Sequence, residues 1–195
     1  MNRSVLETIH ARRSVRQFRR APVPEDLLQE VLEAGRCAPS GGNSQTSHFI
    51  VIQNPEALHT LKRLVEREFA EMQVTEDMYR SLKHSILRSQ QGGYDFIYDA
   101  PVLIVAANIR GYGNALADCA VALENMMIAA TALDLGACWI NQLRWLEGNP
   151  AVHAQLTDWG LEDKEVVCGG LALGVPASTP SSTLDRFGNR VTYIR

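Results

Sequence analysis

An unusually apolar segment near the middle of the chain most strongly limits the folds open to it. Residues 115–135 follow a helical pattern, and apolar or small side chains cover most of that helix's circumference: Ala117, Ala120, Val121, Ala122, Leu123, Met126, Met127, Ile128, Ala129 and Ala130. A helix of this kind must be buried on several sides. In a chain of 195 residues two explanations stay open: a subunit interface, or the central core helix of a monomer.

A membrane span is not expected in this segment. It carries Asp118, Glu124, Asn125 and Asp134, and a span of about 20 residues rarely holds so many polar groups. Arginines occupy the first positions of the chain, where a signal peptide would need an apolar core. We therefore expect a soluble, cytoplasmic protein with no membrane partner.

The remaining pattern alternates helices with about four apolar strands, which indicates one mixed α+β domain over residues 1–195 with no linker. The periodicity predicts helices over 3–11, 25–35, 55–72, 74–92 and 148–158, and strands over 48–53, 100–109, 137–141 and 166–175. A terminal strand over 191–194 is also predicted. It has no obvious neighbour in sequence, so we expect it to pair with a distant or neighbouring sheet edge.

Composition excludes several classes of function. A net charge of −3 argues against a nucleic-acid partner, because such proteins usually show a basic face. Cys37, Cys119, Cys138 and Cys168 form no CxxC pair, which favours free thiols in a reducing compartment. The five histidines show no HxxxH spacing, so no metal is expected.

Two polar segments carry the chemistry. The first is Arg12-Arg13-Ser14-Val15-Arg16-Gln17-Phe18 and the second is Pro39-Ser40-Gly41-Gly42-Asn43-Ser44-Gln45. Arginine forks match phosphate oxygens, a Gly-Gly pair lets the backbone approach a ligand, and Asn and Gln amides pair with ring carbonyls and nitrogens. Together they suit an organic phosphate that bears a polar heterocycle.

Standard catalytic motifs are missing. The chain has no GxGxxG, GxxxxGK[ST], GxSxG or HExxH motif and no closely spaced Cys/His set. Hydrolytic and metal mechanisms therefore lack visible nucleophiles or ligands, and no catalytic side chain is assigned. A bound cofactor that carries the chemistry itself would explain this absence.

With the two segments in this order, the chain resembles the FMN-dependent nitroreductase family over nearly its whole length. Three later features fit the same template. They are the helix from Asp118 to Met126 that leads to Leu135-Gly136-Ala137-Cys138-Trp139, the stretch Leu173-Gly174-Val175-Pro176, and Arg186. The resemblance implies a three-layer α/β/α sandwich whose central mixed, mostly antiparallel sheet is flanked by helices. It also implies an intertwined homodimer with C-terminal strand exchange.

The resemblance also implies how FMN is held. The first segment would contact the phosphate, the ribityl chain and the pyrimidine end of FMN, and the second segment would reach the flavin from the partner subunit. Backbone donors near 139–141 would lie at flavin N5 and O4. An arginine late in the chain would bind the phosphate. The residues concerned are Arg12, Arg13, Ser14, Arg16, Pro39, Ser40, Gly41, Asn43, Gln45, Trp139, Ile140, Asn141 and Arg186. Plainer alternatives stay open: Arg13 as a surface charge, Ser40 as a turn cap, Trp139 as a core residue and Arg186 in a flexible tail.

The activity implied is hydride transfer from NADH or NADPH through flavin N5 to a nitroaromatic, a quinone or a related small electrophile, by a ping-pong mechanism. Alternatives are reductive dehalogenation, flavin modification, or a flavin-binding module without turnover. Thr46-Ser47 stands where many members have Pro-Trp, so the acceptor cannot be assigned. Residues 74–93, with Tyr79, Arg80 and Lys83, would form a mobile substrate lid or an ordinary solvated helix.

Overall fold

The computed structural model describes residues 4–178 and 188–195, and an antiparallel sheet of four strands lies at its centre. The strands are β1 (His48–Ile52), β2 (Val102–Ile109), β3 (Gly136–Ile140) and β4 (Glu165–Gly174), in the order β1-β2-β4-β3. The central strands β2 and β4 are buried at nearly every residue, as expected for strands covered on both faces. The four strands predicted from apolar runs are confirmed to within two residues at each end.

Helices cover both faces of the sheet. They are α1 (Val5–Ala11), α2 (Glu25–Arg36), α3 (Pro55–Ala70), α4 (Arg80–Gln91), α5 (Ala115–Ala132), α6 (Gln142–Trp145) and α7 (Pro150–Asp158). The apolar sides of α2 and α5 pack on one face, and those of α3, α4, α6 and α7 pack on the other. The expected mixed α+β fold is thus confirmed, with the sheet between two helical layers.

Three helix predictions were wrong in detail. The helix predicted over 74–92 begins only at Arg80, and the residues just before it form a turn. The helix predicted to reach residue 135 ends at Ala132, because Asp134 adopts a left-handed conformation with φ of 57°. The four-residue helix α6 was not predicted, since it is too short to show periodicity.

The helix α5 is a core element on one side only. By length and composition it is the single helix of the described ranges that could cross a membrane. Its Cys119, Leu123 and Met126 are nevertheless fully buried against the sheet. On the other side Leu116 and Val121 are 42% and 40% exposed. One chain therefore buries only part of this apolar helix.

The first polar segment runs along the outer edge of β3. Ser14 forms a parallel bridge with Ala137, and the Val15 amide donates to the Ala137 carbonyl at 2.9 Å. Gly136 makes this approach possible, because a Cβ there would lie 2.8 Å from a methyl group of Val15. The edge of β3 is thereby covered, and the arginine segment is fixed beside it.

The opposite edge of the sheet and the C-terminal residues lack strand partners within the described part of one chain. β1 is the edge strand on that side. The strand predicted over 191–194 is not formed, and Val191, Tyr193 and Ile194 are 72%, 74% and 98% exposed. A short strand is stable only when it pairs with a sheet edge, and within the described residues 191–194 pair with none.

Candidate functional site

Three polar side chains of the first segment converge beside β3. Because side chains alternate along an extended backbone, Arg12, Ser14 and Arg16 lie on one side, near Cys138. Burial raises the pKa of the Cys138 thiol, and the charges of Arg16 and Arg12, together with a hydrogen bond from Ser14, partly oppose that rise. Arg12 also lies 3.5 Å from the Glu124 carboxylate. The three side chains therefore place two positive charges and a hydroxyl group close together beside β3.

Arg13 is not part of this group. Its Nη1 donates to the backbone carbonyls of His10 at 2.8 Å and Arg12 at 2.6 Å. With Val15 and Asp134 it lines a different cavity of about 370 Å³. The role of Arg13 as a phosphate ligand stays a prediction. The side chain is half-buried, so it is not the fully exposed surface charge of the plainer alternative.

A cavity of about 510 Å³ lies next to Arg16, between the first segment and α4. Its lining is mainly cationic and aromatic: Arg16, Arg20, His84, Arg88, Tyr94 and Tyr98. Among the described residues, no carboxylate lies within ion-pair distance of these three arginines. The Arg16 guanidinium lies 5.8 Å from the centroid of the Tyr98 ring, within cation–π range.

A strained turn sets the position of Tyr98. Tyr98 and Asp99 have φ of 60° and 54°, which is unfavourable for side chains of this size. Asp95 holds the turn by accepting from the amides of Ile97 at 2.9 Å and Asp99 at 2.7 Å. Lys62 binds the carboxylates of Asp95 and Asp99 at 3.0 and 2.6 Å. Lys62 therefore offsets part of the negative charge of the two acids beside the cavity.

The second polar segment is a constrained loop docked on the N-terminal end of α5. Gly42, Asn43 and Gln45 have φ of 61°, 56° and 50°. The Gln45 amide donates to Ser40 Oγ at 3.0 Å, so Ser40 does cap this turn. The Gly41 amide donates to the Asp118 carboxylate. Pro39, Asn43 and Gln45 are exposed and free to meet another molecule.

Within the described residues, no hydrogen bond joins this loop to Arg12, Ser14 or Arg16. The loop contacts the N-terminal end of α5, whereas the first segment lies along β3, so the two polar segments occupy different places in a single chain.

The residues at the end of β3 are bound within the chain. The Trp139 indole donates to Asn141 Oδ1 at 2.7 Å, and its ring lies so close to Gly169 that a Cβ there would be 2.9 Å away. Trp139 is therefore largely a core residue on the α5 side. Ile140 is buried, and the Asn141 amide donates to Gln142 Oε1 at 3.1 Å.

Gln142 connects β3 to the cavity. Its Nε2 donates to Tyr94 Oη at 2.8 Å, and Ser85 of α4 bonds the same hydroxyl at 2.8 Å. Burial raises the pKa of Tyr94, so this phenol stays neutral. The network ties the ends of β3 and α4 to one wall of the cavity.

Two residues remain to be placed: Arg186, which was expected to bind phosphate, and Asp118, which was overlooked. Arg186 lies outside the described residues. Asp118 was given no binding role from the sequence, where it entered only the argument against a membrane span and the helix motif of the resemblance. The sequence signal that could have identified Asp118 is an acidic residue in the first turn of a largely apolar helix. In this fold that position is buried. Such an acid needs donors, and the loop supplies them.

Comparisons with known proteins agree with this fold. The model of the nitroreductase family matches residues 9–175. An FMN-bound nitroreductase from Bacteroides fragilis is 36% identical, with a TM-score of 0.87 over 99% of this chain and 100% of that one.

Two curated proteins match shorter parts of the chain. A protein of Methanothermobacter thermautotrophicus named "Putative NADH dehydrogenase/NAD(P)H nitroreductase" is 30% identical over 69% of this chain, and the match spans 59% of that protein. Rat iodotyrosine deiodinase 1 is 32% identical over 62 residues, which are 32% of this chain and 22% of the deiodinase. The family match spans most of the chain and the structural match nearly all of it, so the chain belongs to the nitroreductase family.

Proposed function

We propose that this protein is an FMN-dependent oxidoreductase that uses NADH or NADPH to reduce nitroaromatics, quinones or related small electrophiles. The observation that carries the proposal is the convergence of Arg12, Ser14 and Arg16 beside β3, next to a cavity of about 510 Å³. Ligand pockets of small molecules typically measure roughly 300–1,000 Å³. The FMN-bound relative from Bacteroides fragilis supports the same cofactor.

The donor set fits FMN. An organic phosphate carries a charge of about −1.5 to −2 near neutral pH, which Arg12 offsets through charge-assisted hydrogen bonds, with Ser14 on the ribityl chain. Arg16, above the Tyr98 ring, faces the pyrimidine end. Arg186 completes the phosphate site as the family resemblance implies, and the backbone at Trp139, Ile140 and Asn141 flanks the flavin edge.

When bound, FMN accepts hydride at N5 from NAD(P)H and passes two electrons to the acceptor. The side chains of this chain bind and orient: Arg16 stabilises negative charge at the pyrimidine end, and Lys62 offsets part of the opposing negative charge of Asp95 and Asp99. No side chain acts as nucleophile. One open face serves donor and acceptor in turn, which gives ping-pong kinetics.

The functional unit is a homodimer. The loop residues Pro39, Ser40, Gly41, Asn43 and Gln45 reach the flavin of the partner subunit, which agrees with their separation from the arginine segment in one chain. The exposed apolar side chains of α1 and α5, Val5, Leu6, Leu116 and Val121, supply the surface that a second copy covers.

The C-terminal segments are exchanged between the two subunits. A groove of about 730 Å³ follows the open edge of β1, lined by Leu28 and Leu32 of α2 and by Ile50 and Ile52. Residues 191–194 are Val-Thr-Tyr-Ile, all residue types that favour strands, and they pair with this edge in the partner. Residues 1–195 form one domain. Its four free thiols are typical of a protein in the reducing cytoplasm.

The absorbance spectrum tests the proposal. The purified protein is expected to carry a flavin band near about 450 nm that bleaches on anaerobic addition of NADH or NADPH and returns when a nitroaromatic or quinone is added. A colourless protein that FMN does not restore would overturn the flavin assignment. A yellow protein that no nicotinamide bleaches would be a binding module without turnover.

Reductive dehalogenation is the second candidate, supported by the local similarity to iodotyrosine deiodinase 1 and by Thr46-Ser47 in place of a bulky aromatic. In this version residues 74–93 close over the substrate as a lid. Turnover of halogenated phenols with release of halide, under conditions where nitroaromatics are reduced at least about tenfold more slowly, would favour it over the first candidate.

A further inference from the structure

The carboxylate of Asp118 is buried, yet the groups that hydrogen-bond to it are neutral. It is 6% exposed, and both of its oxygens accept from the Gly41 amide, at 3.1 and 3.2 Å. Ser44 Oγ is a longer contact at 3.5 Å. Among the described residues no cation lies within ion-pair distance of it. A buried charge held by an amide and a hydroxyl needs those donors, and so it fixes the loop that supplies them.

Tyr112 holds the same loop from the adjoining turn. Its hydroxyl donates to the Gly41 carbonyl at 3.0 Å and lies 3.3 Å from Ser44 Oγ. The fit is close, because a Cβ on Gly41 would lie 2.1 Å from Asn114 Nδ2 and 2.5 Å from the Tyr112 hydroxyl. Both the amide and the carbonyl of Gly41 are therefore held by hydrogen bonds, an arrangement that we call the clamp.

The clamp acts on a loop that would not keep its shape alone. Two non-glycine residues, Asn43 and Gln45, hold positive φ, and such conformations persist only where the surroundings enforce them. The exposed faces of Asn43 and Gln45 are the part of this chain offered to a ligand. Fixing that shape in advance removes the entropy cost of ordering the loop on binding.

We infer that Asp118 is a positioning residue for the flavin site of the partner subunit: it fixes the Gly41 backbone, with Tyr112, so that Asn43 and Gln45 are pre-set to contact FMN. This rests on the proposed function, since the loop is the part assigned to the partner's flavin. The acid touches no reacting atom.

The test compares Asp118→Ala with Asp118→Asn in the full-length protein. Asp118→Ala is expected to raise the Kd for FMN by about tenfold or more, because one buried amide loses its acceptor. It should also speed hydrogen exchange at the Gly41 amide. Asp118→Asn keeps an acceptor oxygen and should recover most of both losses. Asp26→Ala, an exposed acid in the first turn of α2, is the matched control.

A further variant separates positioning from general stability. In the Asn43→Ala/Gln45→Ala background, Asp118→Ala should add little to the FMN Kd, because both contacts that it positions are already gone. Full additivity of the two changes, or an unchanged FMN Kd with slow exchange at Gly41, would overturn the inference. Failure of the wild-type protein to bind FMN would instead overturn the proposed function.

Discussion

At the scale of single residues, Arg12 is the side chain on which the phosphate assignment depends. Arg12→Ala should weaken FMN binding by roughly 1.5–3 kcal/mol, because it removes a charge-assisted hydrogen bond. Titration of the apoprotein with FMN, followed by flavin fluorescence, measures the change. Arg63→Ala on α3 is the control, since Arg63 is an exposed arginine that lines only the distant groove between α3 and α7. Equal affinities of the two variants would contradict the role of Arg12.

Single residues also show what the alternation of side chains along an extended backbone can predict. The sequence places Arg12, Ser14 and Arg16 two residues apart, so an extended backbone must put them on one side. Arg13, between them, must point elsewhere, and it does. The partner of Asp118 could not be predicted in this way, because Gly41 lies 77 residues away in the chain.

At the scale of elements, the arginine segment is positioned by its docking on β3. Gly136→Ala should displace it, because the new methyl group would lie 2.8–3.0 Å from three atoms of Val15. Overpacking of this kind typically costs about 1–3 kcal/mol, and here it should also weaken FMN binding. Thermal unfolding and the FMN Kd measure the two effects.

The matched control for this change is Gly148→Ala. Gly148 is exposed, a methyl group added there would meet no atom within 4 Å, and its φ is not positive. The substitution should therefore leave the stability and the FMN Kd near the wild-type values. A Gly136→Ala protein that binds FMN as well as Gly148→Ala does would show that the segment can shift without loss.

At the scale of the whole molecule, we expect the C-terminal residues to hold two subunits together. Val191→Asp with Tyr193→Asp should weaken the dimer, because the new charges would face Leu28, Leu32 and Ile50, apolar side chains in the groove beside β1. Sedimentation equilibrium measures the change. Gln73→Asp with Thr157→Asp adds the same charge at exposed positions and serves as the control. A wild-type protein that stays a flavin-loaded monomer would contradict the dimer itself.

The sequence determined the sheet and most of the helices by itself, because apolar period and length are local properties. It also supplied the two polar segments and, through their order and spacing, the family. It failed where a signal is short or depends on backbone conformation, as at α6 and at the end of α5.

Only the tertiary structure decided which residues meet. It brought Arg12, Ser14 and Arg16 near Cys138, placed Arg16 on the wall of the cavity beside α4, packed the partly buried Trp139 on the α5 side of the sheet, and bound the loop to Asp118. The physical reason is that hydrogen bonds and close packing act between groups far apart in sequence, and a linear pattern holds no record of those distances. The chain thus encodes its ligand chemistry locally, while the fold arranges that chemistry into a site.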